Sequence, residues 1–160
     1  MTTKQFEYKP LAHYSYAIVS NGEMAVIDPE RNPEQLYDFA EENNAKIVAI
    51  IETHPHADFV SSHLEIHKKT GATIYNSEKL GADYPHTSFD EGDSIKLGNV
   101  TLKAINTPGH SPDSITVVAT EGNETALFTG DTLFIGDVGR PDLREKAGNM
   151  KAKREELAEM

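Results

Sequence analysis

Two histidines and an aspartate stand within five positions of this chain, as His54, His56 and Asp58 in Thr53-His54-Pro55-His56-Ala57-Asp58-Phe59. Imidazole nitrogen and carboxylate oxygen are the ligand atoms of a protein-bound divalent cation. Packed together with neither a cation nor compensating hydrogen bonds, such groups carry an uncompensated cost of desolvation and charge. Two more residues of ligating type follow turn-forming segments: His110 in Thr107-Pro108-Gly109-His110 and Asp131 in Thr129-Gly130-Asp131. Either one alone reads better as a turn residue. With the first cluster they make a metal site, provided the fold brings three loops together.

The elements that must do this are legible. Lys46 to Ile51 is a continuous apolar run of strand type, as in a strand covered on both faces, and it delivers the histidine cluster at its C-terminal end. Lys4–Tyr8, Tyr14–Ser20 and Glu23–Asp28 read as a β-meander, its second turn at Asn21-Gly22. Residues 33–43 have Leu36, Phe39 and Ala40 at helical spacing, and Val60–Thr70 is a second helix stopped by Gly71. A strand at Ala72–Tyr75 follows, then a loop from Asn76 to Glu91. Ser94–Leu97 and Val100–Asn106 flank Gly98-Asn99 as a hairpin, and Ile115–Ala119 and Ala126–Phe128 are further strands. A helix is expected from Lys146. The class is layered α/β (α+β), in which ligands bind beyond the carboxyl ends of strands.

At 160 residues the chain is one domain by length, with roughly 70% of the unfolded surface expected to be buried. Fifteen Lys and Arg against 26 Asp and Glu give a formal charge of −11, and no basic cluster suits nucleic acid or an anionic membrane. No apolar run approaches the ~18 residues of a membrane span, and no signal-peptide pattern opens the chain. The expected compartment is the cytoplasm. With no cysteine, disulfides, thiolate nucleophiles and cysteine-based zinc or iron–sulfur sites are excluded.

Thr53-His-Pro-His-Ala-Asp58, Thr107-Pro-Gly-His110 and Phe128-Thr-Gly-Asp131 resemble three consecutive signatures of the metallo-β-lactamase superfamily, and Asp28 in Val-Ile-Asp-Pro resembles its first, structural signature. The resemblance covers essentially the whole chain and implies an αβ/βα sandwich with metal at one edge between two sheets. The superfamily usually has histidine after the cluster aspartate, where it helps hold a second metal; here that position is Phe59. One metal held by two histidines and a carboxylate is the facial triad of non-haem Fe(II) oxygenases, whereas zinc hydrolases favour more nitrogen ligands or two metals.

Within the superfamily the chain most resembles persulfide dioxygenases of the bacterial kind fused to rhodanese domains, through His54-Pro-His-Ala-Asp-Phe59, Thr107-Pro-Gly-His-Ser-Pro112 and the long string from Gly130 to Leu143. That resemblance implies one Fe(II) per chain held by His54, His110 and Asp131, with His56 and Asp58 beside the metal. It also implies oxidation of a thiol persulfide, of glutathione above all, to sulfite by O2. Arg140 is a candidate for a substrate carboxylate, since a guanidinium fork matches that group; a loop-ordering role reads as well. The alternatives are a zinc hydrolase of glyoxalase II (hydroxyacylglutathione hydrolase) type and an inactive metal-binding fragment.

The chain stops before the superfamily's last motif histidine. The expectation is therefore the N-terminal half to two-thirds of the fold, domain 1–160, without the rhodanese domain of a full-length parent. Exposed apolar faces and self-association into homo-oligomers would follow. His63 and His67 read as a solvated helix face, because His-Leu-Glu-Ile-His lacks the order of a zinc-peptidase helix. His13 and His86 read as structural or surface residues.

Overall fold

The structure, a computed structural model, describes residues 1–141. Strands β1 (Thr2–Tyr8), β2 (His13–Ser20) and β3 (Glu23–Ile27) form the expected antiparallel meander. Asn21 and Gly22 turn β2 into β3 with φ of 51° and 79°, the left-handed pair that suits the twist of a tight hairpin. Helix α1 (Glu34–Glu42) then leads to β4 (Lys46–Ile51), and helix α2 (His63–Thr70) to β5 (Thr73–Asn76). Both crossovers join parallel neighbours. With β6 (Thr87–Ser88) they complete a six-stranded sheet in the order β1-β2-β3-β4-β5-β6.

A second, antiparallel sheet holds β7 (Ser94–Leu97), β8 (Val100–Asn106), β9 (Ile115–Glu121) and β10 (Glu124–Phe128), in the order β10-β9-β8-β7. A two-stranded ribbon of β11 (Leu133–Phe134) and β12 (Asp137–Val138) follows Asp131. The arrangement is helix layer, sheet, sheet: the metallo-β-lactamase type of sandwich, over the residues described.

Strand β4 divides its side chains between two cores. Ala49 and Ile51 face the second sheet, in a cluster with Ile27, Leu102, Val117 and Phe128. Ile47 and Ile50 face the helices, in a cluster with Leu36, Phe39 and Ile66. The pattern departs from strict alternation because Val48 is an extra residue: Met24 pairs with Ile47, but Ala25 pairs with Ala49. Such a bulge re-aims the strand that follows it. Each fully buried isoleucine here contributes roughly 1.5–3 kcal/mol of transfer free energy, so both faces hold β4 in place.

Three details depart from expectation. Helix α2 starts at His63 rather than Val60, because Ser61 and Ser62 send their hydroxyls to Glu52 and to the Glu30 carbonyl, and such bonds compete with a helical turn. The 76–91 segment contains β6 and a single 3-10 turn at Glu78–Leu80, both too short for a periodic signal. The β11–β12 ribbon has two residues per strand and is set by Gly136 at φ 85°. The helix expected from Lys146 lies outside the described residues. Among those described, no helix is long and apolar enough to cross a membrane. Exposed apolar side chains gather at Leu127, Leu133, Phe134, Ile135 and Val138, while the solvent side of β8 carries Lys103.

Candidate metal centre

Thr53, the second residue past β4, ties the two sheets together. Its backbone N–H donates to Asp28 Oδ1 and its hydroxyl to Asp28 Oδ2, both at 2.7 Å, and its carbonyl accepts from Ile115 N–H at the start of β9 at 2.9 Å. Asp28 closes β3 with a positive φ of 48°, a conformation a non-glycine residue keeps only where its surroundings over-determine it. These bonds do so. They also fix where His54 begins.

With its own proton given to Asp28, the Thr53 hydroxyl accepts from His54 Nδ1–H at 3.0 Å. His110, from the β8–β9 loop, donates its Nδ1–H to the Arg140 carbonyl at 3.1 Å. Both imidazoles are thereby set with Nε2 free to ligate, which is how proteins orient metal-binding histidines. Asp131 Oδ2 lies 3.7 Å from Nε2 of each, and one ligand atom from each of His54, His110 and Asp131 falls within 4.8 Å of the others. Burial and the neighbouring charge of His56 lower His54 to about 4, against the pull of Asp28 and Asp131, so the ring is neutral at neutral pH. Two imidazole nitrogens and a carboxylate fit a divalent cation.

Glycines make the approach possible. A Cβ on Gly130 (φ +50°) would overlap the Thr53 hydroxyl, and one on Gly139 would overlap the Asp131 carbonyl and lie 2.9 Å from His110 Cβ. The β11–β12 ribbon returns Gly139 to Thr132, whose carbonyl accepts its N–H. Asp131 is 45% exposed and faces a cavity of about 530 Å³ walled by Tyr14, Tyr16, Leu127, Leu133, Phe134 and Ile135.

His56 turns the other way. Its Nε2 lies 3.3 Å from Asp28 Oδ1 and 4.0 Å from Glu52 Oε2, forming a second, buried group. Burial works against charge on His56, yet the Asp28 and Glu52 carboxylates outweigh it and push the ring up to about 9. Burial with the charge of Asp28 pushes Glu52 up to about 8, against the pull of His56. Burial also disfavours the Asp28 anion, but His56, His54 and the Thr53 hydrogen bond hold its carboxyl below the usual range.

Of the expected site residues, the fold brings His54, His110 and Asp131 together, sets His56 behind them, and leaves Asp58 exposed and outside both groups. Arg140 reaches the site through its carbonyl. Phe59 packs on His13 and His56, ring centroids 4.3 and 4.6 Å away. Sequence reasoning missed four contributors. His63 is not on a solvated face: its side chain is 15% exposed and lies 3.4 Å from Glu52. Glu52 is buried where an apolar strand ends, an anomaly the sequence displays. His13 bonds the Asp28 carbonyl through the β1–β2 register, and Gly139 acts through space; neither leaves a linear signal.

Residues 8–160 match the family model of the Metallo-beta-lactamase superfamily. The cytoplasmic hydroxyacylglutathione hydrolase of Arabidopsis thaliana is 34% identical over 134 residues, which are 80% of this chain and 52% of that protein. A metallo-beta-lactamase structure from Staphylococcus aureus subsp. aureus COL superposes with a TM-score of 0.83 at 37% identity, covering 89% of this chain and 47% of that one. ETHE1 from Myxococcus xanthus superposes with a TM-score of 0.81 at 27% identity, covering 89% and 63%. The chain thus spans about half the length of the Arabidopsis relative. With the family matched from residue 8 onward and the sheets superposing on solved members, the chain belongs to the metallo-β-lactamase superfamily.

Proposed function

We propose that this chain carries the mononuclear iron site of a persulfide dioxygenase, with His54, His110 and Asp131 holding one Fe(II). The observation that carries the reading is the ligand set: two histidines and one carboxylate converge, His56 points its Nε2 at Asp28, and Phe59 occupies the position of a second-metal histidine. Iron bound by such a triad supplies open coordination positions and redox chemistry toward O2. The overall reaction takes a thiol persulfide, O2 and water to thiol and sulfite, the outer sulfur giving four electrons to O2.

The protein's own groups prepare that site. Thr53 and the Arg140 carbonyl hold both imidazoles to one tautomer, and Asp131 supplies the anionic ligand at the solvent side. Phe59 and His13 close the space behind His56. The cavity beside Asp131 is the place for the substrate's thiol-bearing part, and Arg140 is the proposed partner for a substrate carboxylate. His56 acts beside the metal as an orienting group. Glutathione is the proposed thiol, the cytoplasm the proposed compartment, and a rhodanese domain the proposed neighbour in a full-length parent.

Anaerobic loading with Fe(II), followed by glutathione persulfide and O2, tests this. The expected result is O2 uptake with one sulfite per O2; an iron-loaded chain that takes up none rejects it. The second reading, a zinc hydrolase of a glutathione thioester, has the Arabidopsis hydroxyacylglutathione hydrolase behind it. It requires thiol release from a thioester by the zinc-loaded chain under argon.

A further inference from the structure

We infer that Asp28, Glu52, His56 and His63 form a second cation site, closed and of zinc type, separate from the His54/His110/Asp131 centre. Three ligating side chains meet here, from the end of β3, the end of β4 and the loop beyond it, and a fourth, from the first residue of α2, lies against Glu52. One ligand atom each from Asp28, Glu52 and His56 falls within 4.8 Å of the others, and His63 Nδ1 lies 3.4 Å from Glu52 Oε1. Asp28 and Glu52 are 2% and 4% exposed.

The unpartnered nitrogens point to a ligand. The His56 side chain is 5% exposed, and its Nε2, aimed between the two carboxylates, makes no hydrogen bond. Both ring nitrogens of His63 are likewise buried and make no hydrogen bond. Buried polar atoms in folded proteins are nearly always satisfied, and exceptions call for an explanation such as an ion. One cation among these four side chains satisfies the imidazoles and neutralises the carboxylates together.

The spacing suits it. Zn–N and Zn–O bonds of about 2.0–2.2 Å in a tetrahedron place ligand atoms about 3.3–3.6 Å apart; His56 to Asp28 at 3.3 Å and His63 to Glu52 Oε1 at 3.4 Å fall in that range, and His56 to Glu52 Oε2 at 4.0 Å lies just outside it. Two imidazoles and two carboxylates are a donor set for zinc, and four protein ligands make a structural rather than catalytic site. The ligands have supports of their own: Ser61 donates to Glu52 Oε1 at 2.5 Å, and Thr53 donates to both Asp28 oxygens. A cavity of about 350 Å³ lined by Phe59, His63 and Tyr84 reaches Glu52 and His56 and supplies a way in. Filled, the site staples β3, β4 and α2 around the loop that carries His54.

Metal-free 160-residue chain titrated with Zn(II), and in parallel with Co(II) as an optical probe, tests the inference. Two equivalents per chain are expected. Asp131→Ala should lose one equivalent and keep the other, and Asp58→Ala should keep both. His63→Ala and Glu52→Gln, each shown folded by circular dichroism, should weaken the retained equivalent at least tenfold. A single equivalent in the unaltered chain overturns the site, as does a second equivalent that vanishes with Asp58→Ala or binds equally well in His63→Ala. These readouts stand apart from O2 uptake, so failure of the dioxygenase reading and failure of this site are distinguishable.

Discussion

The two clusters use the same side-chain types, and the His54 and His56 rings lie 4.2 Å apart between them, yet they are built for different ends. In the first, each imidazole has its Nδ1 proton committed to oxygen and its Nε2 presented beside a half-exposed carboxylate. In the second, both carboxylates are buried and the imidazole nitrogens look inward. An open side is what chemistry needs and a closed shell is what stability needs. The motif His54-x-His56 therefore feeds two sites, and the residue between them, Pro55, marks where the chain passes from one to the other.

The largest effects are expected at the first cluster. His54→Ala and Asp131→Ala each remove one of the three proposed ligands, and neither variant should retain iron after anaerobic loading and desalting. Asp131 is 45% exposed, so its loss should change folding stability by no more than about 0.5 kcal/mol, and urea unfolding of the metal-free protein separates ligand loss from misfolding. Full iron in either variant would show that the ligand assignment is wrong.

Thr53 probes what the clusters share. Thr53→Val keeps the shape but removes the hydroxyl that donates to Asp28 and accepts from His54. Loss of such a supporting bond costs about 10–100-fold in metal affinity, and an unsatisfied buried Asp28 oxygen about 1–3 kcal/mol of stability. Both sites should weaken together in a zinc titration. Weakening of the first alone would mean that Thr53 orients His54 without holding Asp28.

Gly139→Ala tests the ribbon's return. Its Cβ would displace Asp131 backbone and press His110, so first-site affinity should fall about tenfold or more, in the range found when orienting contacts are lost. The second cluster, which Gly139 does not touch, should be unchanged. Equal loss at both sites would indicate a general loosening of the fold.

Much of this was legible in the sequence, and the parts that were not share a cause. The long strands and both helices announce themselves by periodicity and by Gly71 and Asn21-Gly22, and β8 runs over Val100–Asn106 as expected. The candidate ligands were visible because they follow strands and glycine-rich turns. What stayed hidden depends on distance through space. His63 reads as solvated because His-Leu-Glu-Ile-His lacks the order of a zinc-peptidase helix, and only the packing of α2 against β4 brings it to Glu52. The β11–β12 ribbon, two residues a side, has no periodicity to read, so the return of Gly139 and Arg140 to His110 could not be inferred.

Asp58 is exposed and belongs to neither cluster, so Asp58→Ala should change stability by less than about 0.5 kcal/mol and leave zinc stoichiometry unaltered. Phe59→His supplies the histidine that a second metal beside Asp58 would need, at the loss of ring contacts with His13 and His56. In that background an additional weak zinc equivalent is expected, and Asp58→Ala should now remove it. The double-mutant cycle reads the coupling directly: zero coupling would mean that Phe59 does not stand in a vacated ligand position, and the case for one redox metal would then rest on His54, His110 and Asp131 alone.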